Sequence, residues 1–223
     1  SLSIETKHFS LLLPEKDGSE PIVFPIINLD WKPDIEFFGG KFNLNVNSVN
    51  IIRKTDGNTQ RLSIKTSWKK DIITKSGHLI DLGIFTRGDL YRSTKKYIPN
   101  NSTRLLSSNP FGDEINIGRI LPSYFMEWKY PVVSPNGHTI IEPIVNFTLA
   151  PSDKEYLKIP NEDSIAFELN SVNILDTDRI QGFDRWEYGN RINYGLQVSH
   201  FWGERVIKAL LAQSYRFSEL NYS

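Results

Sequence analysis

The chain is patterned with a period of two. Phe42-Asn43-Leu44-Asn45-Val46-Asn47 sets three apolar residues against three asparagines, as a strand with one apolar and one polar face requires. Arg61 to Trp68 repeats the scheme, with Leu62 and Ile64 opposite Arg61, Ser63 and Lys65. Ile80, Leu82, Ile84 and Leu90 then share one face, opposite Asp81, Gly83, Arg87 and Asp89. Between 119 and 130, Ile120, Tyr124, Met126 and Trp128 oppose Arg119, Ser123, Glu127 and Lys129. Ile141, Val145, Phe147 and Leu149 oppose Glu142, Asn146 and Thr148, and Ile192, Tyr194, Leu196 and Val198 oppose Arg191, Asn193 and Gln197. Helical periodicity is hard to find.

This pattern predicts about ten strands, near 2–13, 21–30, 41–53, 60–72, 78–97, 115–132, 139–150, 164–174, 191–202 and 205–217. Many reach the nine to eleven residues that a tilted strand needs to cross a bilayer core. Asp56-Gly57-Asn58, Lys75-Ser76-Gly77, Pro135-Asn136-Gly137 and Gly203-Glu204 supply turn chemistry between them, as does 14–18. Longer connections fall at 98–114, 151–163 and 175–190. An up-and-down barrel keeps its long loops on alternate connections. The succession of 151–163 and 175–190 breaks that alternation once. Pro25, Pro122, Pro131 and Pro143 fall inside strand patterns, where a residue without an N–H points to an edge, a bulge or weakened pairing.

Alternation alone fits two environments. In a sandwich the apolar face is core, whereas in a membrane barrel it meets lipid and the polar face lines the lumen. Aromatics gather towards strand ends, at Trp31, Phe37, Phe38, Trp68, Tyr91, Tyr97, Tyr124, Trp128, Tyr130, Trp202, Tyr215 and Phe217, as in the girdles of a membrane barrel. Strand length and these aromatics favour the barrel. The expected fold is therefore all-β, a section of an antiparallel up-and-down transmembrane β-barrel. Its residues 1–223 form one partial barrel domain without internal boundary. The lumen-facing candidates are Glu127, Lys129, Glu142, Asn146, Glu168, Asn170, Arg191, Asn193 and Gln197.

Composition narrows the chemistry. Basic and acidic residues number 26 each, so no basic excess marks a nucleic-acid partner. There is no cysteine, which removes disulfides and thiolate chemistry from this stretch. The four histidines are dispersed without metal-ligand spacing, so neither a metal nor any other cofactor is expected. Ser199-His200 pairs a nucleophile with a base, but strand neighbours point to opposite faces. An enzyme is not expected.

The segment Asp176–Leu196 is the least generic stretch, a polar connection feeding an alternating strand. Its Asp178, Arg179, Gly182, Asp184, Arg185, Gly189 and Gly195 resemble the LPS-assembly protein family of Gram-negative outer membranes (LptD, or organic solvent tolerance protein, OstA). Ile141-Glu142-Pro143, Pro160-Asn161-Glu162-Asp163-Ser164 and Ala212-Gln213-Ser214-Tyr215-Arg216 support the match. The resemblance implies a larger, even-stranded barrel in the outer membrane that inserts lipopolysaccharide into the outer leaflet. It implies as partners lipopolysaccharide, outer-membrane lipid, an LptE-like plug lipoprotein and a periplasmic Lpt bridge reached through a jellyroll. Neither that jellyroll nor the barrel-closing strands are identified in this sequence. The arginines and aspartates of the motif are expected to order the loop by charge-assisted pairs, with contact to lipopolysaccharide phosphates as the second possibility. A porin-like or substrate-specific channel, and a soluble β-sandwich binding module, remain alternatives.

Overall fold

The computed structural model describes residues 1–8, 21–53, 57–94, 96–97, 111–112, 114–156, 158–165 and 168–217. Among the described residues thirteen strands form: β1 (Leu2–His8), β2 (Ile22–Trp31), β3 (Glu36–Phe37), β4 (Gly40–Ile52), β5 (Thr59–Ile73), β6 (Leu79–Ser93), β7 (Lys96–Tyr97), β8 (Phe111–Gly112), β9 (Ile115–Lys129), β10 (Val132–Val133), β11 (Thr139–Leu149), β12 (Arg191–Trp202) and β13 (Arg205–Arg216). β7 and β8 pair with each other. The rest make one eleven-stranded sheet: nine strands follow the path β1-β2-β4-β5-β6-β9-β11-β12-β13, with β3 paired to β4 and β10 to β11 off it. All pairings are antiparallel, so the sheet is an up-and-down meander in chain order. Residues 9–13 of the first predicted strand, and the turn at 14–18, lie outside the described residues.

The strand predicted near 164–174 is absent among the described residues. Ile165 makes only an isolated bridge to Gln181, and a turn follows at 171–175. Asn170 Oδ1 accepts the backbone N–H of Val172 at 2.9 Å and of Asn173 at 3.2 Å, while Asn173 Nδ2 donates to the Glu168 carbonyl at 2.8 Å. Asparagines that bond their own backbone in this way override a weak alternation. The chain from 150 to 190 is thus one connection between β11 and β12. This restores the alternation of loop lengths: the connections at 9–21, 94–114 and 150–190 share one end of the sheet, and 74–78 and 203–204 lie at the other.

The prolines fit their places. The β2–β4 register shifts between Val23 and Ile26, a bulge around Pro25. Pro122 lies on β9 beyond the last β11 pair, Leu149 with Tyr124. The β9 ladder with β11 ends at Ile144, and β10 resumes at Ile141, leaving Pro143 opposite the break at Tyr130–Pro131. The Pro143 carbonyl accepts the Tyr130 N–H at 3.3 Å. Because a strand residue's N and C=O point the same way, its missing donor faces that break, and the register with β12 runs on through Pro143 unshifted.

The polarity of the sheet is inverted relative to a soluble sandwich. Arg87 and Arg191 are 0% exposed, whereas Ile120 is 75% and Leu211 80% exposed. Register shows why: Asn47, Ser63 and Asp89 share one row, as do Lys65 and Arg87, and Glu127, Asn146 and Asn193, all on the face that the 150–190 connection covers. Leu62, Ile64, Ile84, Leu90, Ile120, Leu196 and Leu211 cover the opposite face. A sandwich would place these apolar rows against its second layer. The outward aromatics also fall into place. Trp31 and Phe37 pack edge-on against Phe42, and Trp128 and Tyr130 stack with His78 near the short turns. At the other end Phe217 packs edge-on against both Phe147 and Tyr215. Tyr91 does not belong to this girdle: it is buried on the covered face.

Candidate functional site

The segment predicted from its motif folds across the polar face of the sheet and supplies carboxylates to arginines on the strands. Asp184, fully buried, is its centre. One carboxylate oxygen accepts from Arg61 Nη1 on β5 at 2.6 Å and from the Tyr91 hydroxyl on β6 at 3.1 Å. The other accepts the backbone N–H of Glu162 at 2.6 Å and of Asp163 at 2.9 Å. Asp163 returns the favour by accepting the Phe183 and Asp184 N–H groups, and its Oδ2 lies 2.8 Å from Arg61 Nη2. The two halves of the connection, 159–165 and 180–186, are therefore zipped together and fastened to one wall arginine.

Similar fasteners lie on either side. Arg119 of β9 bridges Asp89 of β6 and Asp153 of the connection, each at 2.6 Å, and reaches the Asp184 carbonyl at 2.9 Å. Arg87 pairs with Asp89 on its own strand and donates to the Arg185 carbonyl at 2.9 Å. Arg53 donates to Glu162 at 3.1 Å, and Thr59 to the same carboxylate at 2.9 Å. Near β12 and β13, Glu187 accepts from Arg179 Nε at 2.9 Å and from Arg216 Nη2 at 2.9 Å, with Arg191 Nη2 at 3.5 Å. Phe183 lies between Arg61 and Lys65, 5.0 and 4.2 Å from its ring centre, and Arg185 covers Tyr156 at 4.7 Å.

These contacts set the ionisation of the connection. Burial opposes ionisation of Glu187, yet the bonds from Arg179 and the charge of Arg191 outweigh it and hold its carboxyl below the ordinary range. Asp163 is also held low, burial being outweighed by Arg61. Burial pushes Asp178 up against the pull of Lys65. It does the same to Asp184, where the neighbouring Asp163 adds to burial against Arg61.

The motif residues divide by role. Asp184 and Arg179 sit in the ion-pair network. Arg185 donates to the Ile159 carbonyl at 2.9 Å, which holds the two halves of the connection together. Asp178 accepts the Ile180 N–H at 3.3 Å and pairs with no arginine at bonding distance among the described residues. Gly182 has φ +96°, and a Cβ there would lie 2.6 Å from the Asp163 carbonyl oxygen, so no other residue fits. Gly189, at φ +95°, donates its N–H to the Ala150 carbonyl where the connection closes onto β11. Gly195 lies within β12, where a Cβ would stand 2.8 Å from the Ala212 Cβ of β13.

Of the residues expected to face a lumen, Glu127, Lys129, Glu142, Asn146, Arg191, Asn193 and Gln197 all lie on the covered face. Glu127 and Lys129 pair at 2.6 Å. Glu168 and Asn170 do not join them; they are exposed in the connection, because no strand forms there. Arg61, Asp89, Tyr91, Arg119, Asp153, Glu162, Asp163, Glu187 and Arg216 belong to the site although the motif within 176–196 does not mark them. The available signal was charge at alternate strand positions, as at Arg61, Arg87, Asp89 and Arg119, followed by an acidic connection. Ser199 and His200 point to opposite faces, Ser199 buried and His200 exposed, with His200 Nδ1 2.9 Å from Thr139 Oγ1.

The family model described as LPS transport system D (LptD) matches residues 1–222. No curated protein sequence matches the chain. Among sixteen solved chains that are similar is the beta domain of the Bordetella autotransporter Brka, at TM-score 0.33 and 9% identity, over 88% of this chain and 71% of that one.

Proposed function

This chain belongs to the LptD family, which assembles lipopolysaccharide into the outer membrane of Gram-negative bacteria, and from that premise we propose that residues 1–223 form a section of the wall of its transmembrane barrel. The covered face is the lumen wall and the apolar face meets lipid. The end carrying the 94–114 and 150–190 connections faces the cell exterior, as long barrel loops do. Glu127, Lys129, Glu142, Asn146, Arg191, Asn193 and Gln197 give the lumen a hydrated surface of mixed charge, suited to the anionic sugar head of lipopolysaccharide. The motif residues Asp178, Arg179, Gly182, Asp184, Arg185 and Gly189 order the 150–190 connection inside the mouth, and Gly195 lets β13 lie close against β12. An LptE-like lipoprotein in the lumen and a periplasmic Lpt bridge complete the route.

The observation that carries this reading is the inverted polarity, with arginines buried on β5, β6, β9 and β12 and aliphatic residues exposed along the whole nine-strand antiparallel path. Only a solvent that is apolar on the outside stabilises such a sheet. The test places a photo-reactive residue at Gln197 of the full-length protein in outer membranes. Crosslinking to lipopolysaccharide is expected; solute-selective conductance without that crosslink would favour a channel instead. Dispersion of this chain as a stable monomer in buffer without detergent would overturn the membrane assignment.

A further inference from the structure

One feature of the outward face is not explained by generic lipid contact. Gly88 on β6 and Gly118 on β9 lie within long, unbroken ladders: Ile64 pairs with Gly88 and Gly88 with Ile120, while Leu62 pairs with Leu90 and Leu90 with Gly118. The two glycines sit diagonally and open a groove of about 540 Å³ whose outward side chains are Leu62, Ile64, Leu90 and Ile120. That volume lies within the range of roughly 300–1,000 Å³ typical of clefts for small ligands.

Nothing in the fold demands glycine at position 88. Its φ is not positive, no bulge interrupts either register, and a Cβ placed there would meet nothing within 4 Å. Glycine in a strand interior weakens the strand and otherwise marks close approach by a ligand or another backbone. A second backbone has no edge to join at Gly88, since β6 is paired there on both sides, with Ile64 of β5 and Ile120 of β9. At the exterior end of the groove the next outward row is polar, formed by Gln60, Arg92 and Asn116. Arg92 is exposed and pairs with the exposed Glu114 at 2.9 Å. An apolar trough capped by amide and guanidinium donors matches an amphiphile with an acyl chain and a sugar–phosphate head.

We propose that the Gly88–Gly118 groove seats one acyl chain of lipopolysaccharide in the outer leaflet, with Gln60, Arg92 and Asn116 meeting its head. The proposal rests on the sidedness and membrane placement argued above. It makes this stretch of wall a docking site on the outside of the barrel, separate from the lumen. A lipopolysaccharide molecule held there would keep the surrounding outer leaflet ordered against the protein.

The experiment uses the full-length protein in outer membranes, with a photo-reactive residue at Leu90 and, as an outward reference, at Leu211 on β13. Lipopolysaccharide is expected to crosslink more strongly at Leu90. Gly88→Phe fills the trough, and each displaced methylene contact is worth roughly fourfold in affinity; the Leu90 adduct should therefore fall by about tenfold or more while the Leu211 adduct holds. Ile120→Ala, which removes a groove wall without adding bulk, should lower it as well and serves if Gly88→Phe fails to fold. Equal labelling at the two positions, phospholipid adducts alone, or no response to either substitution would overturn the groove. A crosslink at Gln197 that persists in such a case would leave the transport reading intact, so the two failures are distinguishable.

Discussion

Arg61 on β5 and Asp184 of the 150–190 connection are 123 residues apart in sequence and 2.6 Å apart in space, both buried. Asp184 also accepts the N–H groups of Glu162 and Asp163, and Arg61 also holds Asp163 and Asn47. Removing either partner strands a buried charge, which costs about 3–5 kcal/mol. Replacing a buried pair by apolar residues is often neutral. Here Arg61→Met with Asp184→Leu should not be neutral, because two backbone donors lose their acceptor at about 1–3 kcal/mol each. Hydrogen exchange at the Glu162 and Asp163 amides measures this. Protection equal to wild type in the double variant would show that Asp184 does not hold the connection.

Gly182→Ala is expected to release the same region from the other side. The φ of +96° and the 2.6 Å approach to the Asp163 carbonyl leave no room for a methyl group, and strain of this kind costs about 1–3 kcal/mol before the clash is counted. Gly203 at φ +59° has open space around its Cβ direction, so Gly203→Ala should cost only about 1–2 kcal/mol and leave the connection intact. Limited proteolysis within 165–181 separates them. Faster cleavage is expected for Gly182→Ala alone.

Much of this was legible in the chain because a strand's period of two writes both faces into the sequence. Leu62, Ile64, Asn146 and Asn193 declare their sides with no knowledge of what lies beyond. The strand imagined at 164–174 failed for a local reason, since Asn170 and Asn173 offer the backbone a turn that competes with pairing. The wall arginines were visible as residues but not as a site. Arg119 meets Asp153, and Arg61 meets Asp184, only after the connection folds back, and alternation carries no information about that return path. Gly182 was legible as a residue of the motif, whereas its dependence on Asp163 required the zipped geometry.

Acid should loosen the connection at its β12–β13 end. Glu187 is faced by Arg179 on its own segment, Arg191 on β12 and Arg216 on β13, and its carboxyl is held below the ordinary range in the folded state. A depressed carboxyl contributes stability that is fully present above its unfolded pKa and is lost as pH falls through the folded value. Hydrogen exchange around 179–189 should accelerate below the ordinary carboxylate range, and Glu187→Gln should flatten that response. Asp178, held high by burial, works in the opposite sense: its ionised form costs stability at neutral pH, so Asp178→Asn should slow exchange at pH 7. Faster exchange in Asp178→Asn would mean that the charge is needed where it stands.

The two faces of the sheet make opposite demands on charge, and a paired substitution reads them directly. Leu211 lies midway along β13 and is 80% exposed on the apolar face. In a bilayer an arginine near the midplane of that face costs about 2–4 kcal/mol. Gln197 lies on the neighbouring strand and the other face, opposite Glu142. A lysine there enters a hydrated wall of mixed charge and gains an acidic neighbour, so its effect should stay within about 0.5 kcal/mol. Folding of the full-length protein into lipid vesicles, followed by denaturant titration, compares the two. Leu211→Arg should lower the unfolding midpoint clearly and Gln197→Lys hardly at all. The reverse order would put water on the apolar face and require the sheet to be turned inside out.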